Sequence, residues 1–373
     1  MTILSINNND VSFQEGQTLL EVARENQIVI PTLCHLSGCT PTGQCRICVV
    51  EVEGVSELLP ACETLAGKNM KIMTHSPMVM EARKTILEML ITSGAHNCLV
   101  MDSPTFSWSS NQMGIMSKPW HDALCPSYGD CRLQDLAIEY GITVREEDLA
   151  WEGHPLDDAT PLIVRDFSRC IGCGRCVQAC NDVQVNQAIT PPWGRRADHP
   201  DGWYPVADYE ACTHCGECIQ TCPVGALFDK KSFGKAPANT ADLIRTTCPY
   251  CGVGCQQLLH VIDEKIVKVT GVVDGAPNKG RLCVKGRFGY DFIYSDQRIR
   301  MPLIRKNGQL EEVSWDEALD YTADRLKTII AESGPDAVAG VSCARSINED
   351  SYQMQKLFRT VFKTNNIDHC ART

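Results

Sequence analysis

Apolar and polar residues alternate over Thr2–Ile6 and again over Asp10–Phe13, on either side of Asn7-Asn8-Asn9. That pattern predicts a β-hairpin. Thr18 to Asn26 reads as a short helix with Leu19, Leu20 and Val22 on its apolar side. A cysteine-bearing loop leads to a predicted strand, Ile47–Val52. Ala82, Ile86, Met89 and Leu90 recur at helical spacing and predict an amphipathic helix over 79–93. Residues 97–124 read as a long irregular loop, and Leu133–Tyr140 as a helix closed by Gly141. Residues 164–230 hold an internal repeat whose halves are joined by a turn-rich insert, Thr190 to Pro205; Lys231 to Thr240 reads as a linker. Short strands are expected over 245–300. Beyond them the pattern is α/β. Ser314-Trp315-Asp316-Glu317 forms a capping box ahead of a helix carrying Ala318, Leu319, Leu326, Ile329 and Ile330, and Gly334-Pro335 stops it. A buried-type strand over Ala337–Val341, a helix over Tyr352–Phe362 and a strand over Asn366–Asp368 follow.

The chain has 373 residues, 43% hydrophobic and 22% charged, which excludes wholesale disorder and implies several domains. No stretch approaches the roughly 18 uninterrupted apolar residues of a membrane span. Met1 to Asn8 shows no basic n-region, apolar h-region or twin arginine, so a cytoplasmic protein without an export signal is expected. A net charge of −11 argues against nucleic acid as a partner. The unusual number is 22 cysteines, many of them in repeated Cys-x-x-Cys. In a long chain without a signal this spacing points to metal clusters rather than disulfides.

Cys34, Cys45, Cys48 and Cys62 place three ligands in one loop and a fourth further on, as in [2Fe–2S] ferredoxins, with Arg46 and the amides of Gly43 and Gln44 beside them. Cys39, in the same loop, reads as a packed thiol. The strongest signal is the repeat. Cys170, Cys173, Cys176 and Cys180 follow the cadence x2, x2, x3, and so do Cys212, Cys215, Cys218 and Cys222-Pro223. In that two-cluster pattern the fourth cysteine of each run ligates the other cluster. The assignment is therefore Cys170, Cys173, Cys176 and Cys222 to one [4Fe–4S] cluster, and Cys212, Cys215, Cys218 and Cys180 to another. Zinc could use eight thiolates but does not explain the same cadence twice. Cys248, Cys251, Cys255 and Cys283 suit a further [4Fe–4S] cluster, with Lys285 a cation beside it or a solvated surface lysine. A last set is His96, Cys98, Cys125 and Cys131, in which one imidazole replaces a thiolate and shifts the cluster potential. His121 competes with His96. Cys343 and Cys370 remain and read as packed thiols. With one [2Fe–2S] and four [4Fe–4S] clusters the holo chain carries a charge nearer about −20.

On these residues the chain resembles the catalytic subunit of molybdenum- or tungsten-dependent formate dehydrogenases with a bis-molybdopterin guanine dinucleotide. Its N-terminal order of clusters also resembles the G-type subunit of NADH:quinone oxidoreductase and the accessory region of [FeFe] hydrogenases. Gly43-Gln44-Cys45-Arg46-Ile47-Cys48-Val49-Val50-Glu51-Val52-Glu53 is similar to the [2Fe–2S] signature of that group, whose ligand gaps of x10, x2 and x13 are the ones here. Cys131-Arg132-Leu133-Gln134-Asp135-Leu136 is similar to the end of the motif of one histidine and three cysteines. The chain departs from that motif: Met101 stands in place of its second cysteine and a long insert precedes Cys125. The formate resemblance rests on Cys248-Pro249-Tyr250-Cys251-Gly252-Val253-Gly254-Cys255, on Gly280 to Gly289, and on Thr364 to Arg372.

The resemblance implies a fold class of α+β multidomain: a [2Fe–2S] ferredoxin-like (β-grasp) domain over 1–78, a histidine-ligated module over 79–147, a two-cluster ferredoxin domain over 148–235, a [4Fe–4S] lobe over 241–300, and the start of an α/β molybdopterin domain over 301–373. It implies formate oxidation to carbon dioxide, with electrons passing from the pterin, past Lys285, to the Cys248 cluster and on through the others. It places the metal-ligating cysteine or selenocysteine just beyond Thr373. An in-frame selenocysteine codon read as a stop, and no formate activity in the 373-residue product alone, are the corresponding expectations. No Gly-x-Gly-x-x-Gly follows a strand, so NAD(P) or flavin is expected on a diaphorase-type or other electron-accepting partner subunit. The alternative is a non-catalytic electron-transfer subunit of the G type; the accessory half of an [FeFe] hydrogenase is a second rival.

Overall fold

The structure, a computed structural model, describes residues 2–94, 96, 127, 129–145, 148–149, 156–191, 205–233 and 241–371. The chain divides into two compact units, residues 1–243 with 260–268, and residues 244–259 with 269–373. Cys98, Cys125, His121 and most of the expected 97–124 loop lie outside the described residues, as do most of the expected insert and linker.

The first unit opens with the expected hairpin. Strands β1 (Thr2–Ile6) and β2 (Asn9–Phe13) pair antiparallel in the register Ile6↔Asn9. Asn7 and Asn8 both take positive φ, 51° and 66°, the left-handed pair a tight hairpin turn needs. Helix α1 (Leu19–Glu25) carries a full capping box: Glu21 N–H donates to the Thr18 hydroxyl, and Thr18 N–H donates to the Glu21 carboxylate. Strands β3 (Val49–Val52), β4 (Leu59–Pro60) and β5 (Lys71–Met73) complete a five-stranded sheet of order β2-β1-β5-β3-β4. Its core is Leu4, Ile6, Leu20, Val22, Val50 and Ile72, joined by Cys48 and Cys62.

Helix α2 (Pro77–Thr92) forms where expected but turns a different side inward. Val79, Arg83, Leu87 and Ile91 are buried, one every fourth residue, while Met89 is 65% exposed and Ile86 and Leu90 are only partly covered. Arg83 is the reason the apolar pattern pointed elsewhere. Its stem lies in the core and its guanidinium donates to the Val49 carbonyl at 2.9 Å and to the Tyr140 hydroxyl at 3.0 Å. Tyr140 is the C-cap of helix α3 (Arg132–Glu139), so one buried arginine ties α2 to the first sheet and to α3.

The repeat folds as two interlocked halves. Strand β6 (Leu156–Asp157) and strand β7 (Ile163–Asp166) precede the first cysteine run. Helix α4 (Arg175–Gln178), a π-turn over Ala179–Val183 and strand β8 (Ile189–Thr190) continue it. Strand β9 (Val206–Ala207), helix α5 (Glu217–Thr221) and strand β10 (Leu227–Asp229) do the same for the second run. β7 pairs with β10 and β8 with β9, both antiparallel, so each half closes on the other. The helices start alike: Gly174 and Gly216, each between the second and third cysteine of its run, both have φ 74°, where a side chain would be strained.

Strands β11 (Asp242–Thr247), β12 (Gln256–Ile262) and β13 (Lys265–Gly271) form a sheet in that order. The second unit then carries helix α6 (Val284–Phe288), the hairpin β14–β15 (Leu303–Lys306, Gln309–Glu312), and helix α7 (Trp315–Ser333) capped by Ser314. Strand β16 (Gly340–Ser342), helix α8 (Asn348–Leu357) running into a π-turn over Phe358–Phe362, and strand β17 (Ile367–His369) follow. β16 and β17 pair in parallel, the signature of a crossover connection. The expected buried strand over Ala337–Val341 is shifted: Pro335–Ala337 is a 3₁₀ turn and Val341 is 76% exposed. No residue of α7 is buried, and Leu319 is 60% exposed. Amphipathic spacing makes a face; burial needs a second element over it. No helix among the described residues is long and apolar enough to cross a membrane.

Candidate metal centres

Four thiols of the first domain meet at one place. Cys34, Cys45, Cys48 and Cys62 are each at most 5% exposed. The Cys45 sulfur accepts the Cys34 N–H at 3.4 Å, and the Cys48 and Cys62 sulfurs stand 3.4 Å apart. Hydrogen bonds from the Cys45 and Cys62 thiols hold Cys34 far below the usual thiol range, and those two donors are pushed far up in return. Cys48 is lowered by its hydrogen bond from Cys62. Arg46 is exposed and pairs with Glu63 at 3.9 Å rather than covering the sulfurs. Cys39 is half-buried in the same loop.

The two ferredoxin-like runs gather in crossed sets. Cys170, Cys173 and Cys176 of the first run line one cavity together with Cys222 of the second; Phe167, Ile171, Val224, Ala226 and Leu227 supply apolar walls. Burial pushes Cys170 up to about 12, and burial with the neighbouring Cys222 raises Cys173 further. Cys180 of the first run feels Cys215 and Cys212 of the second, and burial with those same thiols moves Cys218 up to about 12. Buried thiols in this state hold protons until a metal displaces them.

Of the histidine set, His96 and Cys131 are described. His96 is 4% exposed and its Nε2 has no hydrogen-bond partner. Burial, and then Arg169, hold its pKa down to about 3, so the imidazole is neutral and its lone pair available. A Cβ at Gly94 would collide with the Ser168 carbonyl, so the chain leaving α2 lies directly against the segment ahead of Cys170. Cys131 is the N-cap of α3, and its thiol donates to the Pro223 carbonyl at 3.6 Å. Cys131 shares a buried apolar cluster with Cys173 and Val224. The Cys34–Cys48 loop also reaches the first run: the Thr42 hydroxyl donates to the Cys173 carbonyl at 3.3 Å.

In the second unit, Cys248 N–H donates to the Cys255 carbonyl at 2.8 Å, closing the Cys248–Cys255 loop. Cys283 caps α6, and a Cβ on Gly286 of that helix would stand 3.4 Å from the Cys248 sulfur. Burial and the facing thiols of Cys251 and Cys283 push Cys248 and Cys255 up. Lys285 is exposed on α6. Cys343 and Cys370, expected in the core, are both exposed, with sulfurs 3.7 Å apart. They follow β16 and β17 directly, and those two strands lie at the surface.

These donor sets fit iron–sulfur clusters. None of the described cysteines is in a disulfide. Among the described residues no three His, Cys, Asp or Glu side chains converge closely enough for a single metal ion. Thiolates around a multi-iron cluster stand further apart than around one zinc. Two buried arginines beside the sulfurs were not singled out by sequence reasoning: Arg165 and Arg169 on and after β7. Their only signal was the charged end, Arg165-Asp166, of an otherwise apolar strand.

Family models match in the same order. A 2Fe-2S iron-sulfur cluster binding domain matches residues 1–77 and a 4Fe-4S dicluster domain 169–226. A molybdopterin oxidoreductase Fe4S4 domain matches 242–295 and molybdopterin oxidoreductase 298–373. The last third of the chain is therefore similar to molybdopterin oxidoreductases. The chain shares 34% identity over its whole length with a G-type NADH-quinone oxidoreductase subunit of Rhizobium meliloti, covering 40% of that protein. It shares 30% identity over 99% of its length with a Staphylococcus aureus protein provisionally named a formate dehydrogenase, covering 39% of it. The chain thus spans about two fifths of the length of these relatives. Among solved structures it is similar to an NAD+-reducing [NiFe]-hydrogenase, with a TM-score of 0.50, 26% identity, and coverage of 63% of this chain and 90% of the other. The fold class is as expected: cluster-binding domains leading into the start of a molybdopterin oxidoreductase domain.

Proposed function

We propose that this chain is the iron–sulfur front of a molybdenum- or tungsten-dependent formate dehydrogenase, working with an NAD-linked partner subunit. The observation that carries this is the Cys248, Cys251, Cys255 and Cys283 lobe, placed in the same compact unit as the molybdopterin segment. The Thr364–Arg372 stretch and the S. aureus relatives support formate as substrate. The names of the hydrogenase and of the R. meliloti relative support an NAD-linked partner.

A bound metal–pterin centre supplies two-electron oxidation of formate, and the clusters supply one-electron carriage. This chain's residues do the holding. Cys34, Cys45, Cys48 and Cys62 take a [2Fe–2S] cluster; the crossed sets of Cys170, Cys173, Cys176, Cys222 and of Cys212, Cys215, Cys218, Cys180 take two [4Fe–4S] clusters. His96 and Cys131, with Cys98 and Cys125, take a fourth, and the Cys248 set a fifth. Lys285, on the helix that Cys283 caps, offers a mobile cation beside that last cluster.

A second reading is an electron-transfer subunit of the G type, favoured by the 34% identity to the R. meliloti protein over the full chain. Metal analysis of the anaerobically purified full-length gene product separates the two. About 18 iron atoms per chain, with molybdenum or tungsten and formate-dependent dye reduction, is the expected result. The same iron without either metal selects the G-type reading. Zinc in place of iron overturns both.

A further inference from the structure

Arg165 belongs to none of the thiolate sets, yet it is 4% exposed on β7 and lines the cavity enclosed by Cys170, Cys173, Cys176 and Cys222. Burial works against its charge, but the Cys218 thiol, Tyr209, Asp157 and the Cys176 thiol together more than offset this and raise its pKa.

Two side chains hold the cation. Arg165 Nη1 lies 3.5 Å from Asp157 Oδ2 and donates to the Tyr209 hydroxyl at 3.3 Å, with the guanidinium carbon 5.3 Å from the Tyr209 ring centroid. The Tyr209 hydroxyl donates to the Asp157 carboxylate. Asp157 and Arg165 are direct cross-strand partners between β6 and β7. Asp157 is 23% exposed, so solvent screens its negative charge more than it screens the 5% exposed guanidinium. The sulfur side therefore sees an incompletely neutralised positive charge in a low-dielectric setting.

A [4Fe–4S] cluster gains one negative charge on reduction, and nearby charge sets its potential. We propose that Arg165 is a charge-tuning residue of the cluster whose cavity it lines: it raises the potential of the cluster held by Cys170, Cys173, Cys176 and Cys222, and Asp157 sets by how much. The inference rests on reading the two cysteine runs as clusters.

The test is an EPR-monitored redox titration of the anaerobically purified protein and its variants, with iron and sulfide counted in each. Arg165→Gln is expected to lower the potential of that cluster, Arg165→Lys to keep it near the parent value, and Asp157→Asn to raise it. Opposite signs from the two ends of one ion pair cannot come from loosened packing. If Arg165→Gln does not fold, Asp157→Asn and Arg165→Lys still decide the matter. A loaded cluster whose potential stays put in Asp157→Asn, or moves in Arg165→Lys as far as in Arg165→Gln, overturns the tuning role alone. A parent protein without iron in these runs overturns the cluster reading and this inference with it.

Discussion

Replacing Arg83 by alanine tests how the [2Fe–2S]-type domain is held to the rest of its unit. The guanidinium is fully buried and makes two hydrogen bonds, to the Val49 carbonyl on the strand following Cys48 and to the Tyr140 hydroxyl at the end of α3. Hydrogen bonds from a charged donor contribute about 1.5–3 kcal/mol each, and their loss leaves both acceptors dry. Against this, the Arg83 Nε has no partner, so part of the desolvation cost of the group disappears with it. The sum lies near the lower end, about 3 kcal/mol. Amide exchange in β3 and α2 reads this as an opening free energy. Protection of those amides should fall by about 150-fold in Arg83→Ala, since each 1.36 kcal/mol is about tenfold. Arg83→Met, which keeps the apolar stem, should lose less, and Tyr140→Phe should show coupling with Arg83→Ala. A fall of less than about tenfold in Arg83→Ala would mean the two bonds carry little net energy and the tie is made by Val79, Leu87 and Ile91 alone.

Cys222→Ser is expected to remove the EPR signal of the cluster held by Cys170, Cys173 and Cys176 and spare the other, while Cys180→Ser does the reverse; loss in the uncrossed sense would refute the pairing seen in the cavity. Gly174→Ala and Gly216→Ala, each forced to φ 74°, should cost about 1–2 kcal/mol apiece in thermal or denaturant unfolding, and nearly the same amount as one another. Because burial holds Cys170 and Cys218 up at about 12, iron loading must expel protons, so chemical reconstitution should slow as pH is lowered; pH-independent loading would contradict protonated resting thiols. Burial, then Lys268, depress His260 to about 4, against an unfolded value of about 6.5, so the unfolded state alone binds its proton between those values. Stability should decline as pH falls through that window and be unaffected above it, and His260→Gln should flatten the decline in urea titrations at stepped pH.

Local chemistry was legible wherever it is written in neighbouring residues. The Asn7-Asn8 turn, the short helix after Thr18, the Ser314 cap and the Gly141 stop all sit where the chain predicts, because each needs only contacts within a few positions. The doubled x2, x2, x3 cadence was legible for the same reason, and the structure brings Cys222 into the cavity of the first run. The side of α2 that is buried was not, since an arginine on that side disguised it. Nor was the accessibility of α7, whose apolar spacing says nothing about whether another element lies over it. Cys343 and Cys370 were misread as core because strand spacing does not reveal which strand lies at a surface.

By itself, then, the order of residues determined the spacing of the cysteines and the order of the cluster-binding domains, since spacing within a loop is a one-dimensional property. Only the folded chain decided what surrounds those sulfurs. Bringing Arg165 and Cys222 into one cavity with the first run, and Thr42 and Cys131 onto the backbone of Cys173 and Pro223, depends on contacts between segments far apart in the chain, and the burial they create is what shifts the thiols.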